Sequence, residues 1–479
     1  MSRSFAWLAA VGAGLCFGLA PLHGPVGPVL WLIGLAALAL TVRGDVRADL
    51  ARGSIVGVLW YGISLRWVAL EWVELDGSLS LPWVSWLAVT VLQASVVAVG
   101  TGLAGAIRAR GWPLPTALAI GLSAAEVVAP WVQPLPGGIP LYLAPVQPLL
   151  WPAAWLGLPG LLLVVGVWAG LQVQRPIWGA GVLAVWLGAG LVQPVPEAGR
   201  TLSVGLVQPN FGAFEARQAS TADARRDRLR DLVRAAAAQG ADVVVTPELV
   251  WPDPLSPGRS STARALSTLP DTPIVLGAGL GEDPPSNSLV VVVDGAIAGV
   301  QDKVHLVPLT ERAVLGLGRD RYRPGVGRVL LPVAGTRAIG LVCYEDVVPS
   351  AARGWGQAEW AIAASNDAWL GVRPGSREHE AGTRLLAVRT GRTVVRPTTN
   401  GRSAVFDPSG RRRWHAPYVD GDAEGVQGLA TVIPIEVRTP WFAAADVEPW
   451  LFVVLALLGG IGASWSPWPK PREGAEPPS

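Results

Sequence analysis

Charged side chains are distributed very unevenly along this chain, and that asymmetry limits what it can fold into. The 479 residues include 38 Lys and Arg and 36 Asp and Glu, yet residues 1–195 hold only 14 of these 74. Such an apolar, charge-poor stretch favours helices that cross a lipid bilayer. The rest of the chain has an ordinary density of charge, which indicates a water-exposed part joined to a membrane part.

Crossing the hydrocarbon layer takes roughly 20 apolar residues in a helix. Eight stretches meet this requirement, and Gly and Pro within them are tolerated in membrane helices. They lie near 5–21, 26–42, 53–70, 81–104, 114–131, 150–172, 177–194 and 449–465. The first could instead be a cleaved signal peptide, but its long apolar stretch and the span that follows at once favour a retained helix.

Basic residues give an independent prediction of orientation, because they accumulate on cytoplasmic loops. With eight spans and both termini in the cytoplasm, the basic loop residues fall on one side. They are Arg3, Arg43, Arg47, Arg52, Arg108, Arg110, Arg175, Lys470 and Arg472. We therefore expect a multi-pass membrane protein: a membrane domain at 1–195, an extracytoplasmic domain at 196–448, a last helix at 449–465 and a disordered cytoplasmic tail at 466–479.

The extracytoplasmic region alternates strand and helix patterns. Helical patterns lie at 222–238 and 377–391, and short β-rich runs at 202–207, 242–246, 273–277, 288–293, 337–343, 360–364, 394–396 and 403–406. This alternation is typical of an α/β domain in which helices cover a sheet. About 250 residues suffice for one core.

The chain has two cysteines, Cys16 in the first span and Cys343 in the α/β region. Their separation excludes a disulfide framework. We interpret Cys16 as a small apolar residue of a membrane helix. Cys343, the one thiol of the predicted outer domain, is a candidate catalytic residue.

Three runs end at residues that fit acyl-transfer chemistry. VVVTPELVWP presents Glu248, QDKVHLVPLTER presents Lys303, and RAIGLVCYEDVVP delivers Cys343 into a turn. A thiol becomes a strong nucleophile when a base removes its proton, and a carboxylate can be that base. A Lys ammonium can then stabilise the oxyanion of the tetrahedral intermediate. Each residue alone is a weak signal, whereas Glu, Lys and Cys in this order are far more specific.

These motifs resemble the nitrilase, or carbon-nitrogen hydrolase, superfamily, whose triad is Glu-Lys-Cys. Within it, the flanking sequence is similar to the apolipoprotein N-acyltransferase family. The matching stretches are VGLVQPNF (204–211), TPELVWP (246–252), SNSLVVV (286–292), DKVHLVPLTER (302–312), LVCYEDVVP (341–349), SNDAWLG (365–371) and RPTTNGRSAVFDPSG (396–410).

The resemblance implies an αββα sandwich on a multi-span helical bundle, and a two-step ping-pong reaction. Cys343 would take an acyl chain from a phospholipid as a thioester and pass it to the α-amine of a diacylglyceryl-cysteine at the N-terminus of an apolipoprotein. The resemblance also implies supporting roles near the triad for Glu311, Tyr344, Glu345, Asn287, Trp369 and His379, with His379 orienting structure rather than catalysing. The resemblance further implies a protein of the bacterial inner (cytoplasmic) membrane, and we expect a monomer that needs no cofactor or metal.

Two other functions remain open on the sequence alone. The same triad could serve a membrane-anchored amidase that uses water as acceptor, although such an enzyme needs one anchor rather than seven preceding spans. A non-catalytic membrane scaffold is the second alternative, and retention of all three triad residues argues against it. Nucleic-acid binding has no support, because the Arg residues are dispersed without an aromatic-basic module.

Overall fold

The computed structural model describes residues 2–435, apart from 23–25, 71–79, 133–137, 194–199, 213–217, 309, 315–318, 371–374 and 419–423. The predicted span at 449–465 and the predicted tail at 466–479 lie outside these residues.

The described part of the first 195 residues consists of helices joined by short turns and loops. The helices are α1 (Arg3–Leu19), α2 (Gly27–Thr41), α3 (Val46–Ser64), α4 (Ser80–Ala109), α5 (Leu114–Val132), the short α6 (Ile139–Leu143), α7 (Trp151–Gln174) and α8 (Pro176–Leu191). Each of the seven stretches predicted there coincides with one of these helices. By length and composition, three helices of the described part could cross a membrane, namely Arg3–Leu22, Pro82–Ala109 and Trp151–Gln174, and α2, α8 and the first part of α5 are shorter apolar helices.

Small residues let these helices approach closely. A Cβ on Gly57 of α3 would lie 2.6 Å from Cα of Ala94 on α4, and one on Gly166 of α7 would lie 2.5 Å from Cα of Ala119 on α5. Close backbone approach through Gly and Ala is the usual means of helix association in lipid, where apolar burial alone gives no driving force.

The second part of the chain contains two six-stranded sheets. The first has the order β12-β1-β2-β3-β4-β5 and the second β11-β10-β9-β8-β7-β6. The strands are β1 (Leu202–Gln208), β2 (Val243–Val245), β3 (Ile274–Leu280), β4 (Ser286–Val293), β5 (Ala296–Asp302), β6 (Leu330–Val333), β7 (Thr336–Val342), β8 (Trp360–Ala364), β9 (Val394–Arg396), β10 (Ala404–Phe406), β11 (Arg412–His415) and β12 (Val426–Val432).

The two sheets face each other across a common core, and helices cover their outer faces. Apolar side chains of both sheets, such as Leu206 and Val342, form the buried layer between them. Helices α9 (Ala222–Ala238) and α10 (Ser260–Leu266) pack on the first sheet, and α11 (Ser376–Thr390) packs on the second. The predicted αββα sandwich is therefore confirmed, as are all eight predicted strands and both predicted helices.

Helix α11 also contacts the helical bundle, and this contact brings the second sheet close to it. Tyr142 of α6 donates a hydrogen bond from Oη to Glu378 Oε1 at 3.0 Å. Arg384 donates from Nη1 to the carbonyl oxygen of Ala144 at 2.6 Å. Leu385 and Val388 share a hydrophobic core with the bundle helices. One helix thus packs against the sandwich on one side and the bundle on the other.

Candidate active site

Three strand ends meet at the junction of the two sheets and bring the predicted triad together. Glu248 follows β2, Lys303 follows β5 directly, and Cys343 follows β7 directly. Glu248 is 4% exposed and Lys303 is fully buried. Residues 55 and 40 positions apart in the sequence therefore share one enclosed site.

The backbone turns sharply at Cys343. This residue has a φ of +51°, and a short 3-10 helix, Cys343–Asp346, starts there. A left-handed conformation in a residue other than Gly costs on the order of 1–3 kcal/mol and persists where surrounding contacts enforce it. Here the Glu345 carboxylate accepts a hydrogen bond from the Val342 amide at 2.9 Å, across the turn. The turn presents the sulfur at the end of a buried strand.

Lys303 lies between two carboxylates. Its Nζ is 3.1 Å from Glu248 Oε1 and 2.9 Å from Glu311 Oε1. Burial by itself lowers the pKa of Lys303, but the negative charge of Glu248, with that of Glu311, outweighs it, so the pKa is raised. The side chain is consequently a fixed ammonium.

Hydrogen bonds orient the Glu248 carboxylate. Asn287, fully buried in β4, donates from Nδ2 to Glu248 Oε1 at 2.7 Å and to Glu311 Oε1 at 3.4 Å. The backbone amide of Asn366 donates to Glu248 Oε2 at 3.0 Å. Glu311 is held in turn by the Val307 amide, which donates to its Oε2 at 2.8 Å.

The thiol of Cys343 is protonated at neutral pH. Burial and the Glu248 carboxylate raise its pKa well above the ordinary value, and the Lys303 ammonium offsets this only in part. A thiol that is neutral at rest needs a base at the moment of attack, in contrast to cysteines that are held as thiolates by a neighbouring cation. A carboxylate that shares this electrostatic environment can supply that base.

Glu345 holds the turn through hydrogen bonds, and Tyr344 lies beside it. Glu345 is fully buried and also accepts from the amides of Val304 and His305, at 3.0 and 3.1 Å, next to Lys303. Burial alone would raise the pKa of Glu345, but a hydrogen bond from the His305 side chain, the nearby Arg328 and the backbone amides of Val342 and His305 lower it. Burial raises the pKa of the half-buried Tyr344 phenol while the charge of Lys303 lowers it, so Tyr344 shares the electrostatic environment of the site.

A second group of buried charges lies behind the turn and surrounds His379. Its Nε2 is 2.8 Å from Asp346 Oδ1, and its Nδ1 is 3.0 Å from Asp367 Oδ1. Arg396 contacts both carboxylates, with Nη1 at 2.8 Å from Asp346 Oδ2 and Nη2 at 2.8 Å from Asp367 Oδ1. We call Asp346, Asp367, His379 and Arg396 the buried quartet.

The quartet is charge-balanced when His379 is protonated. Burial and Arg396 oppose the imidazolium, but Asp346 and Asp367 outweigh them and raise the pKa of His379 to about 9. Burial opposes ionisation of Asp367 as well, yet Arg396 and His379 hold its pKa well below the ordinary range. Two positive and two negative side chains therefore remove the cost of an unpaired buried charge.

Sequence reasoning included His379 but missed the other three members of the quartet. All three lie in the matching motifs: Asp346, Asp367 and Arg396. For Arg396 the sequence also offered a signal, because a charged residue at the end of the apolar run VVR (394–396) needs a buried partner. It also missed Ser365, whose hydroxyl donates to Asp367 Oδ1 at 2.9 Å and lies within hydrogen-bonding reach of Cys343, where it lowers the pKa of the thiol. The side chain of Trp369 lies outside the described part.

Comparison with known proteins finds relatives of this chain. The sequence model of the carbon-nitrogen hydrolase family matches residues 203–418. An apolipoprotein N-acyltransferase of Gloeobacter violaceus is 29% identical over 460 residues, which cover 84% of each chain. One of Sinorhizobium medicae is 30% identical over 410 residues, covering 74% of this chain and 73% of the relative.

Among solved structures, an amidase of the nitrilase superfamily from Nesterenkonia AN1 is 18% identical, with a TM-score of 0.36 over 53% of this chain and 96% of the amidase. Within the described residues, no group of three or more His, Cys, Asp or Glu side chains forms a candidate metal site.

Proposed function

The chain belongs to the apolipoprotein N-acyltransferase family of membrane acyltransferases, and from that premise we propose that it moves a fatty acyl chain from a phospholipid, through a thioester on Cys343, to a lipoprotein. The acceptor is the free α-amine of an N-terminal diacylglyceryl-cysteine. The observation that carries this proposal is the meeting of Glu248, Lys303 and Cys343 in one buried site, on a domain whose helix α11 packs against the apolar bundle.

The first half-reaction forms the acyl-enzyme. Glu248 takes the proton of the Cys343 thiol as the sulfur attacks the carbonyl carbon of the sn-1 ester. The Lys303 ammonium stabilises the oxyanion of the tetrahedral intermediate. When the intermediate collapses, the ester C–O bond breaks and Glu248 returns its proton to the leaving lysophospholipid.

The second half-reaction transfers the chain to the amine. The α-amine attacks the thioester carbon, Glu248 accepts a proton from the attacking nitrogen, and Lys303 again stabilises the oxyanion. The C–S bond then breaks, the sulfur regains its proton from Glu248, and an amide remains on the lipoprotein. Water competes with the amine for the thioester, so enclosure of the site favours transfer over hydrolysis.

The remaining predicted residues have positioning roles in this proposal. Glu311 fixes Lys303 through an ion pair, and Asn287 fixes Glu248 through a hydrogen bond. Glu345 and Tyr344 shape the turn that carries the sulfur. His379 orients the same turn from the quartet side, where its Nε2 is 3.3 Å from the carbonyl oxygen of Cys343. Trp369 remains a predicted supporting residue.

Lipid substrates also determine where the protein works. We propose a monomer of the bacterial inner membrane with both termini in the cytoplasm, a membrane domain at 1–195, the catalytic domain at 196–448 on the extracytoplasmic side and a last helix at 449–465. Both substrates carry acyl chains, so a site at the bilayer surface reaches them without extracting either from the membrane.

The test compares wild type with Cys343→Ala, using purified full-length protein, phospholipid and a diacylglyceryl-cysteine peptide. We expect mass spectrometry to find one added acyl chain on the peptide with wild type alone, and a thioester-linked acyl group on wild type when the peptide is omitted. Release of free fatty acid or cleavage of amides with an unmodified peptide would instead establish a hydrolase. Absence of all these reactions would favour a non-catalytic scaffold.

A further inference from the structure

Four exposed arginines lie close together in the chain beside the active site: Arg312, Arg319, Arg321 and Arg323. We call them the arginine rim. In the described part of the catalytic domain, several arginines of other surface segments pair with acids, for example Arg234 with Asp231 and Arg259 with Glu282, whereas the isolated, exposed Arg200 and Arg264 form no salt bridge. Within that same part, no salt bridge involves a member of the arginine rim.

Backbone hydrogen bonds fix the rim to the active site. The Arg321 amide donates to the carbonyl oxygen of Glu311 at 3.0 Å, and the Arg323 amide donates to that of Pro285 at 3.0 Å. Tyr322 between them is half-buried, and burial together with the charges of Glu248 and Glu311 raises its pKa to about 12. Tyr322 thus faces the site, while its two exposed neighbours lie on the outer side of the same segment.

The acids of this segment do not neutralise the rim. Between 311 and 329, the described residues contain the acids Glu311 and Asp320. Glu311 is paired with Lys303, and Asp320 accepts a hydrogen bond from the Ala313 amide at 3.0 Å. The segment therefore carries an excess of positive charge at the edge of the catalytic site.

Apolar side chains are exposed next to these arginines. Val314, Val326 and Val329 are 38%, 107% and 50% exposed. Exposed apolar residues alternating with basic ones are typical of a surface that meets the headgroup region of a membrane. A guanidinium binds phosphate with two parallel hydrogen bonds, which makes Arg well suited to that region.

We propose that the arginine rim binds the phosphate of the donor lipid and thereby selects donors whose headgroup carries net negative charge. The inference rests on the proposed function, since it assigns a headgroup contact to the lipid whose ester reaches Cys343. A zwitterionic headgroup presents the same phosphate, but its amine neutralises part of the charge that the rim attracts.

The test uses the double variant Arg321→Gln/Arg323→Gln in the full-length protein. Its matched control is Arg234→Gln/Arg259→Gln, which removes the same charge from exposed arginines that have acid partners. Transfer to the diacylglyceryl-cysteine peptide is measured in neutral detergent micelles, with phosphatidylglycerol or phosphatidylethanolamine of identical acyl chains as donor.

We expect a lower KM for phosphatidylglycerol than for phosphatidylethanolamine in wild type. The rim variant should raise the KM for phosphatidylglycerol about tenfold or more, change kcat less than twofold and lose the preference, whereas the control should stay within twofold. Because salt screens exposed charges, 0.5 M NaCl, an ionic strength at which the Debye length is only about 4 Å, should raise the KM of wild type but not of the rim variant.

Equal KM values in wild type and the rim variant would overturn the inference, as would an equal rise in the control. If wild type is active and the rim variant has the same KM, the proposed role of the arginine rim is wrong and the proposed function stands. If wild type transfers no acyl chain from any donor, both the proposed function and the role of the arginine rim are wrong.

Discussion

Two groups of buried charges flank the Cys343 turn, and they differ in charge balance. The side that we propose to be catalytic, called the catalytic side below, has Glu248, Lys303 and Glu311, two carboxylates around one ammonium. The buried quartet behind the turn has two carboxylates and two cations once His379 is protonated. The first group carries net negative charge and can accept a proton without leaving a cation unpaired, whereas the second loses its balance when it gains or loses one.

This difference in charge balance suits the two groups to different roles: proton transfer on the catalytic side, and structural support of the Cys343 turn by the buried quartet. Proton transfer in catalysis requires a group that can gain and lose a proton at a small cost in free energy. Glu248 meets this requirement because Glu311 still neutralises Lys303 when Glu248 is protonated. A balanced buried cluster is expensive to break, because removing one partner leaves an uncompensated charge. Substitutions on the catalytic side should therefore change rate more than stability, and substitutions in the quartet should do the reverse.

The largest effect is expected for Glu248→Gln. The amide retains the size of the side chain but cannot take the thiol proton, so kcat should fall by about 10²–10⁴-fold. Mass spectrometry of acyl-enzyme and acylated peptide measures both half-reactions, and thermal unfolding in detergent measures stability. If kcat falls while the melting temperature stays close to that of wild type, the catalytic side differs from the quartet as expected. If the variant retains more than a tenth of wild-type kcat, Glu248 is not the general base.

Stability should respond to pH through His379. Its pKa of about 9 in the folded protein lies above the ordinary value of 6.5, so the folded state binds the proton more tightly. The resulting stabilisation is complete below pH 6.5 and is lost as the pH rises to about 9, by about 3 kcal/mol from the size of that shift. Thermal unfolding of the full-length protein between pH 6.5 and 9 measures this loss.

His379→Gln is the matched variant for that titration. The groups that face His379 are Asp346, Asp367 and Arg396, of which Asp367 titrates at far lower pH. Burial raises the pKa of Glu378 to about 8, which gives wild type a second slope of the same sign. The difference between wild type and variant isolates His379, and parallel pH curves would show that its proton does not stabilise the fold.

These two sides were not equally predictable from sequence. Strands such as β7 and β8 are continuous apolar runs and were found, whereas β5 and β11 are partly exposed and interrupted by polar residues, so no apolar pattern marked them. Glu248 and Cys343 were found because each follows a recognisable strand, and Lys303 because it lies in the matching stretch DKVHLVPLTER (302–312). The charges of the quartet were visible, but their pairing was not, because Asp346 and Arg396 meet only after two more strands and a helix have been placed between them.

The smallest effect is expected for Ser365→Ala, at the border between the two groups. The Ser365 hydroxyl has one proton; it donates to Asp367 Oδ1 at rest and can turn to the sulfur as negative charge develops there. Loss of this donor should lower kcat about tenfold and slow alkylation of Cys343 by iodoacetamide, since one hydrogen bond to a charged group is worth about 1.5 kcal/mol. If Ser365 couples the groups, the rate effects of Ser365→Ala and His379→Gln will be non-additive in a double-mutant cycle. Additive effects would show that the buried quartet and the catalytic side act independently at the Cys343 turn.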